Sequence, residues 1–217
     1  MPRITAIEPQ RKQDRFNIYL DGKFTFGAST YSIFENKLEV GKNLSSQEIA
    51  KITQKELGTR LMDLAVKYLS FRQRSQKEVK DYLITKISKI EDIKFSQAKE
   101  SPLIANILLK LKKYQYISDL EFAKWWLVSR TKSNPKGLRM IRLELKRKGI
   151  SDEIIDHVMA GSLNEVDLAR KVLAKKLKNW QKLPKLELKK KVYRLLASRG
   201  FTFDTIIEVF ANLEKKG

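Results

Sequence analysis

An internal repeat built around a glycine narrows the folds that are open to this chain. In both copies an aliphatic residue is followed by a leucine four positions on, then a basic residue three further on, Gly and a large apolar residue. The copies are offset by 51 residues and comprise Ile141, Leu145, Lys148, Gly149 and Ile150, and Val192, Leu196, Arg199, Gly200 and Phe201. Glycine takes the left-handed conformation that ends many helices, so each copy predicts a helix, a turn and a second helix.

A third stretch, Val79 to Lys86, repeats the first three positions but has Ile87 where the others have glycine. We therefore predict a mainly α fold of three tandem three-helix repeats, at residues 60–114, 115–161 and 162–217. Helices with one apolar face must pack on their neighbours. The third helix of the first repeat is predicted to begin at Ser101 and Pro102, after a polar connection over 88–100. Chance similarity among helices rich in Leu and Lys is the alternative.

The first 45 residues follow a different pattern and predict a small β-hairpin module. Phe16, Ile18 and Leu20 alternate with polar or amphipathic residues, which is the period of a strand. The dipeptide Asp21-Gly22 then favours a two-residue turn before the second strand, and Ile4 to Ile7 supplies a further strand. Residues 46–114 begin with a long helix, predicted to start at Ser45 or Ser46 and to run through Gly58 to about Ser70.

The chain carries 45 Lys and Arg against 25 Asp and Glu, a net charge of +20. Residues 1–59 contribute +2 of this, and residues 60–217 contribute +18. Such an excess predicts a polyanionic partner, with nucleic acid first and an acidic protein surface or anionic membrane second. The helical part is therefore expected to meet that partner.

Several functional classes lack their signatures. There is no cysteine for a disulfide or thiolate, and His157 is the only histidine, which argues against a zinc site or a catalytic triad. The Gly-Lys pairs at 22–23 and 41–42 lack the rest of a phosphate-binding loop. Because the chain has neither a signal peptide nor an apolar run of membrane length, we expect a cytoplasmic protein. We also expect a monomer that is not an enzyme and needs no cofactor.

The third repeat is the first candidate for a binding surface. Residues 167–200 hold 12 basic residues and two acidic ones. Ala169, Leu173, Leu177 and Trp180 define the core side of the first helix, and basic residues lie opposite, where they can follow a phosphate backbone. The residues of this predicted basic surface are Lys171, Lys175, Lys178, Lys182, Lys189, Lys190 and Arg194. An ordinary solvated face is the alternative.

A second candidate surface lies in the second repeat. It comprises Arg130, Lys132 and Lys136 around the loop before the second helix, and Arg139, Arg142 and Lys146 on that helix. Glu144 and Lys148, four residues apart on the same helix, are interpreted as a stabilising ion pair, with a partner interface as the alternative for Glu144. Trp126 is predicted to join the core. Trp125, at the edge of that face, is predicted to pack between repeats, with stacking on a base as the alternative.

These same residues resemble the RecX family of RecA-filament regulators. The resemblance covers residues from about 60 to the C-terminus, and the N-terminal module resembles an extension found in some members. It rests on Tyr116-Ile117-Ser118-Asp119, Phe122-Ala123, Arg130, Gly137, Glu144-Leu145 and Lys148-Gly149-Ile150, with Tyr68-Leu69, Arg72, Arg74-Ser75 and Glu78-Val79 before them and Arg199-Gly200-Phe201 after. Ile87 departs from the pattern, as does the long connection that follows it.

The resemblance implies three tandem three-helix repeats in an elongated, curved body that binds in the groove of the RecA–DNA filament. It further implies modulation, usually inhibition, of the ATPase, strand-exchange and coprotease activities of RecA, with weaker binding to single- and double-stranded DNA without sequence preference. Two alternatives stay open. One is a stand-alone DNA- or RNA-binding protein of the helix-turn-helix type, and the other is a protein-only scaffold.

Overall fold

The computed structural model describes residues 1–11, 14–132, 135–160, 164–180 and 183–214. Within those ranges the chain is mainly helical, with one small sheet at the N-terminus. The strands are β1 (Ile4–Pro9), β2 (Arg15–Leu20) and β3 (Lys23–Ser29). The helices are α1 (Thr30–Glu35), α2 (Ser46–Ser70), α3 (Gln76–Ile90), α4 (Phe95–Lys99), α5 (Pro102–Lys113), α6 (Asp119–Lys132), α7 (Leu138–Arg147), α8 (Asp152–Met159), α9 (Glu165–Trp180), α10 (Lys185–Ser198) and α11 (Phe203–Glu214).

The chain divides into two compact units. The N-terminal unit comprises Met1–Ser70 and Tyr82–Lys110, and the C-terminal unit comprises Phe71–Asp81 and Leu111–Gly217. In the C-terminal unit, α6, α7 and α8 pack on one another and form the second repeat, while α9, α10 and α11 form the third. The mainly α fold with a small N-terminal sheet, predicted from the sequence, is confirmed.

The N-terminal sheet is antiparallel in the order β1, β2, β3. Asp21 and Gly22 form the turn between β2 and β3 with φ of 47° and 77°, so both turn residues take the positive φ that this dipeptide favours. Ile18 and Phe26 are paired across the hairpin and buried in the module's core. The predicted hairpin is confirmed, whereas helix α1, which begins at the capping residue Ser29, is an element that the sequence patterns did not predict.

Helix α2 runs without interruption through Gly58. At its start the Ser45 hydroxyl accepts from the backbone N–H of Glu48, and the Glu48 carboxylate accepts from the Ser45 N–H at 2.8 Å. This reciprocal arrangement satisfies two N–H groups at the helix start that would otherwise have no partner. The predicted long helix from this serine pair to Ser70 is confirmed.

Both glycine turns have the predicted geometry. Gly149 has φ of 81° and Gly200 has φ of 79°. After each glycine the next residue donates its N–H back to the helix, from Ile150 to the Leu145 carbonyl and from Phe201 to the Leu196 carbonyl. Thr202 then caps α11 through its hydroxyl, which accepts from the backbone N–H of Thr205. Ser151 occupies the capping position of α8 without a side-chain hydrogen bond.

The first repeat departs from this pattern because Ile87 cannot take the glycine's place. Ile87 is buried, and α3 continues past it to Ile90 before Asp92, with φ of 50°, reverses the chain. The predicted polar connection over 88–100 contains the short helix α4 instead of being wholly irregular. Helix α5 begins at Pro102, as predicted.

Successive repeats in the C-terminal unit are joined by the same kind of hydrogen bond. In each case a carboxylate on the first residue of one helix accepts from a backbone N–H at the start of another helix. Asp119, the first residue of α6, accepts at 2.8 Å from the backbone N–H of Gln76 at the start of α3. Glu165, the first residue of α9, accepts at 2.9 Å from the N–H of Leu138 at the start of α7. Each carboxylate satisfies a free helical N–H and complements the positive helix end.

The glycine turns complete these junctions because their backbones lie against the same helix starts. A Cβ added to Gly149 would lie 2.7 Å from the Cβ of Lys77 in α3, and one added to Gly200 would lie 2.6 Å from the Cβ of Met140 in α7. Glycine is therefore required at these positions for close approach as well as for its left-handed conformation. The glycine that recurs in the sequence repeat therefore reflects, in part, a junction between helices that recurs in the structure.

Candidate functional site

The predicted basic surface of the third repeat lies on α9 and α10. Lys171 and Lys178 in α9, and Lys189, Lys190 and Arg194 in α10, are all exposed. None of these five forms an ion pair with another residue that the structure describes. Lys175 lies in α9, but its side chain is outside the described residues, as is the whole of Lys182. The surface is therefore a row of cations available to an external anion.

The second predicted surface is divided by the structure. Lys132 and Arg139 are exposed and have no ion pair within the described ranges. Arg142 and Lys146 instead bridge α7 to α8, with Lys146 Nζ 2.8 Å from Asp152 and Arg142 3.7 Å from the same carboxylate. Arg130 points into a half-buried network around Glu144.

Glu144 is the centre of that network. Its Oε2 accepts from the indole N–H of Trp126 at 2.9 Å and from Arg130 Nε at 2.7 Å, and its Oε1 accepts from Lys136. Burial by itself would raise the pKa of Glu144, but hydrogen bonds from Lys136, Arg130 and Trp126 outweigh burial and lower it. Glu144 therefore stays ionised and holds α6, α7 and the segment between them together.

Glu78 is the centre of a second network. Arg72 donates to both of its carboxylate oxygens, at 2.9 and 3.1 Å, and Lys148 Nζ lies 2.6 Å from Oε1. The side chain is only 12% exposed. Burial would raise the pKa of Glu78, but the hydrogen bonds and charges of Arg72 and Lys148 lower it from 4.5 to about 2. A carboxylate on α3 is thus bound to the end of α7.

The two networks correct the interpretation of Glu144 and Lys148 as an ion pair within one helix. The carboxylate of Glu144 is taken by Arg130 and Lys136, and the ammonium of Lys148 is taken by Glu78, 70 positions away. The pair within one helix does not form, because Arg130 and Lys136 already hold the half-buried Glu144 carboxylate and the Lys148 ammonium lies 2.6 Å from Glu78.

Trp126 lies between the two networks. We call Trp126 and the two networks together the tryptophan junction, which comprises Arg72, Glu78, Trp126, Arg130, Lys136, Glu144 and Lys148. Arg130 lies 4.2 Å from the Trp126 ring centroid and Lys148 lies 5.4 Å from it. Trp125 packs on Phe122 with ring centroids 5.8 Å apart, and Arg72 lies 5.8 Å from its ring. Both tryptophans are half-buried in the second repeat's core, so packing, the predicted role of Trp125, is what the contacts show.

Sequence reasoning did not find the roles of Glu78, Lys136 and Lys148. One signal was present, because Glu78 directly precedes the buried Val79 and Glu144 directly precedes the buried Leu145. This signal does not single them out, because Glu121, Asp167 and Glu208 also directly precede buried residues and are exposed. Nor does the sequence tell which cations meet Glu78 and Glu144.

His157 is exposed on α8, consistent with a polar surface residue. Among the described residues no group of three or more His, Cys, Asp or Glu side chains could hold a metal ion. In the same part of the chain, no helix combines the length and the apolar character needed to span a bilayer.

A small N-terminal sheet, followed by three-helix groups that join through glycine turns and carry rows of exposed cations, defines a tandem helical-repeat protein. Three family models match this chain. The regulatory protein RecX N-terminal domain matches residues 2–45, the second three-helix domain of RecX matches 118–159, and the third three-helix domain matches 164–210. The chain belongs to the RecX family of regulatory proteins.

Curated relatives and solved structures agree with this assignment. The regulatory protein RecX of Bacillus velezensis is 34% identical over 95% of this chain and 75% of its own length, and that of Bacillus subtilis is 34% identical over 99% and 78%. A crystal structure of regulatory protein RecX, 26% identical, covers 96% of this chain and 98% of its own with a TM-score of 0.65. The crystal structure of RecX from Lactobacillus salivarius is 22% identical in sequence and covers 74% of this chain and 98% of its own, with a TM-score of 0.60. At this identity it supports the fold alone.

Proposed function

We propose that this chain regulates the RecA recombinase by binding in the groove of the RecA–DNA filament, usually as an inhibitor of ATP turnover, strand exchange and coprotease activity. Membership of the RecX family is the observation that carries this proposal. We propose that it acts in the cytoplasm as a monomer built from an N-terminal module (1–45), a long helix with the first repeat (46–114) and the second and third repeats (115–161 and 162–217).

The charge distribution supports a contact with the filament's DNA or with acidic protein surface. Lys171, Lys178, Lys189, Lys190 and Arg194 are exposed, and none is neutralised by a carboxylate within the described residues. Cations that are already solvated and unpaired release counterions from DNA without first breaking an internal ion pair. We propose this row, continued by Lys175 and Lys182, as the primary contact.

The second surface is proposed as an auxiliary contact through Lys132 and Arg139. The ion pairs of Arg142 and Lys146 with Asp152 are exposed to solvent, so an external phosphate would compete with the Asp152 carboxylate for these two cations. Arg130 serves the tryptophan junction, and its removal would disturb α6 and α7 as well as any contact. Binding without sequence preference is expected, because a row of lysines meets phosphates and does not read base edges.

The experiment that tests the regulatory proposal is the single-stranded-DNA-dependent ATPase of RecA, titrated with this protein far below one copy per RecA and with DNA in excess. Loss of activity at such ratios supports direct action on the filament. Loss only when the protein is abundant enough to coat the DNA would refute it, and would favour a stand-alone DNA-binding protein.

The basic surface is tested by the double charge reversal Lys171→Glu with Lys178→Glu. DNA affinity should fall, and the slope of log K against log salt should flatten by about 1.4–1.8, from roughly 0.7–0.9 per lost phosphate contact. The matched control is Lys51→Glu with Lys67→Glu on α2, which makes the same charge change at two exposed helical lysines. An equal effect of both pairs would show that only net charge matters.

A further inference from the structure

The second and third repeats differ sharply along the seam between their last two helices. Burial fixes the alignment of the repeats at an offset of 51, since Ile155 and Val158 in α8 and their counterparts Ile206 and Val209 in α11 are all buried. In the second repeat the seam is polar and exposed. It is formed by Arg142 and Lys146 on α7 and by Asp152 and Asp156 on α8, which are joined by ion pairs.

At the four aligned positions of the third repeat every residue is apolar or aromatic. Tyr193 and Ala197 on α10 replace the two cations, and Phe203 and Ile207 on α11 replace the two carboxylates. The seam nevertheless remains at the surface, with Tyr193 48%, Phe203 60% and Ile207 50% exposed. The same fold at the same register can therefore carry a polar seam, and the apolar one is a property of the third repeat's sequence.

These residues line a groove of about 930 Å³ between α10 and α11. Its remaining apolar lining includes Leu186, Val192 and Phe210, and the seam residues continue it. This volume lies within the range of about 300–1,000 Å³ typical of ligand sites. Contiguous exposed apolar surface is uncommon on a protein with such a high charge, and it marks sites of interaction.

The rim of the groove is cationic and selects the charge of the occupant. Lys185, Lys189, Lys190 and Arg194 line it, and none of the described residues that line it is acidic. An occupant must therefore place apolar groups into the groove and negative charge around its edge. From Leu186 to Ala197 the groove follows α10 for about three helical turns, or roughly 16 Å, which is the length of a helix of about 11 residues.

Nucleic acid satisfies the rim but fits the groove poorly. The groove offers mostly aliphatic groups, and its two exposed rings, Tyr193 and Phe203, are packed edge to face at 6.2 Å with an interplanar angle of 74°. Such a pair presents no continuous platform of parallel faces for successive bases. Leucine, isoleucine or phenylalanine side chains, in contrast, gain from burial against aliphatic walls.

We propose that the groove between α10 and α11 is the docking site for an acidic amphipathic helix of a protein partner. Apolar residues of that helix, spaced i, i+3 or i+4, and i+7, fill the groove, while its Asp and Glu residues meet Lys189, Lys190 and Arg194. Lys189, Lys190 and Arg194 belong both to this rim and to the proposed DNA contact, whereas Lys171 and Lys178 of α9 are not among the residues that line the groove. The docking site does not depend on RecA being the partner, so it can succeed or fail separately from the proposed function.

The test is selection from a displayed library of random peptides of about 16 residues, a length that covers the groove. The full chain is the target and DNA is left out, because DNA bound to Lys189, Lys190 and Arg194 would compete for the rim of the groove. Counter-selection uses a seam variant, Tyr193→Arg, Ala197→Lys, Phe203→Asp and Ile207→Asp, which places the second repeat's own seam on the third. Enriched peptides should be acidic and carry apolar residues at helical spacing.

An enriched peptide is then synthesised with a fluorophore, and its anisotropy is followed against each variant. The seam variant and the rim variant Lys190→Glu with Arg194→Glu should each bind it about tenfold or more weakly. Ile207→Asp alone, at a half-exposed position, repeats the test in a variant with one change. Leu143→Asp is the matched control, because Leu143 is 43% exposed on α7 outside the groove. Circular dichroism melts confirm that each variant is folded.

Four results would each overturn the proposal. One is no enrichment over the seam variant, and another is enrichment of basic or neutral peptides. A third is equal loss of peptide binding with Leu143→Asp. The last is a concentration-dependent dimer in sedimentation that the seam variant abolishes, because the groove would then hold a second copy of this chain.

Discussion

Replacing Gly137 by alanine tests whether close backbone contact between the second and third repeats stabilises the C-terminal unit. Gly137 is buried just before α7, and its N–H donates to the Arg199 carbonyl at 3.0 Å. A Cβ at this position would lie 2.2 Å from the Gly200 carbonyl oxygen and 2.4 Å from the Phe201 nitrogen. These neighbours are backbone atoms of a hydrogen-bonded turn, so no side chain can rotate away to make room.

The cost of this substitution is purely steric. Gly137 has φ of −66° and ψ of 154°, which alanine adopts without strain. Overpacking in a well-packed interior costs about 1–3 kcal/mol. Alanine recovers about 0.4–1 kcal/mol by restricting the unfolded chain. Since backbone must move, we take the upper part of the range and expect a net loss of roughly 2 kcal/mol, or about 4–8 °C in Tm.

The assay is urea unfolding followed by tryptophan fluorescence. Trp125, Trp126 and Trp180 all lie in the C-terminal unit, so the signal reports on the unit that contains the substitution. Gly58→Ala is the matched control, followed by circular dichroism. A Cβ there meets only Leu103 Cδ2 at 3.6 Å, so alanine within helix α2 should stabilise by about 0.5–1 kcal/mol. A change within 0.5 kcal/mol for Gly137→Ala would refute the argument, since the two repeats would then not be in rigid contact.

Three further predictions concern the repeat junctions. The pKa of Glu78 in the folded protein is about 2, against an ordinary 4.5. The stability that the ionised Glu78 carboxylate gives to the folded protein is therefore complete above about pH 4.5 and is lost as pH falls towards 2. Urea midpoints between pH 5 and 2.5 should therefore decline by an amount worth roughly 2 kcal/mol from this group, and Glu78→Gln should flatten that decline. Asp119→Ala should lower the free energy of unfolding by about 1 kcal/mol through loss of the cap on Gln76, and Asp119→Asn by less; equal stability of the alanine variant would contradict the capping role. Gly149→Ala should lower it by about 1–3 kcal/mol in the same fluorescence assay, and no loss would mean that Lys77 moves aside freely.

Elements that depend only on neighbouring residues could be predicted from the amino-acid sequence. Asp21-Gly22 specifies the hairpin, Ser45 with Glu48 specifies the start of α2, and Gly149 and Gly200 specify the helix ends, because each acts within a few bonds of itself. The uneven charge is likewise a property of composition, and the resemblance to the family rested on motifs in a fixed order. These predictions needed no knowledge of packing.

Contacts between groups from distant parts of the chain depend on the packing of the helices and could not be predicted in this way. Lys148 pairs with Glu78 rather than with Glu144, because Arg130 and Lys136 already hold the Glu144 carboxylate and the fold places Glu78 2.6 Å from the Lys148 ammonium. Gly137 is required because the Gly200 turn lies against it, 63 residues away in the chain. The groove of the third repeat also depends on contacts between separate helices. The sequence contains Tyr193, Ala197, Phe203 and Ile207, but their meeting along one exposed seam depends on how α10 packs against α11.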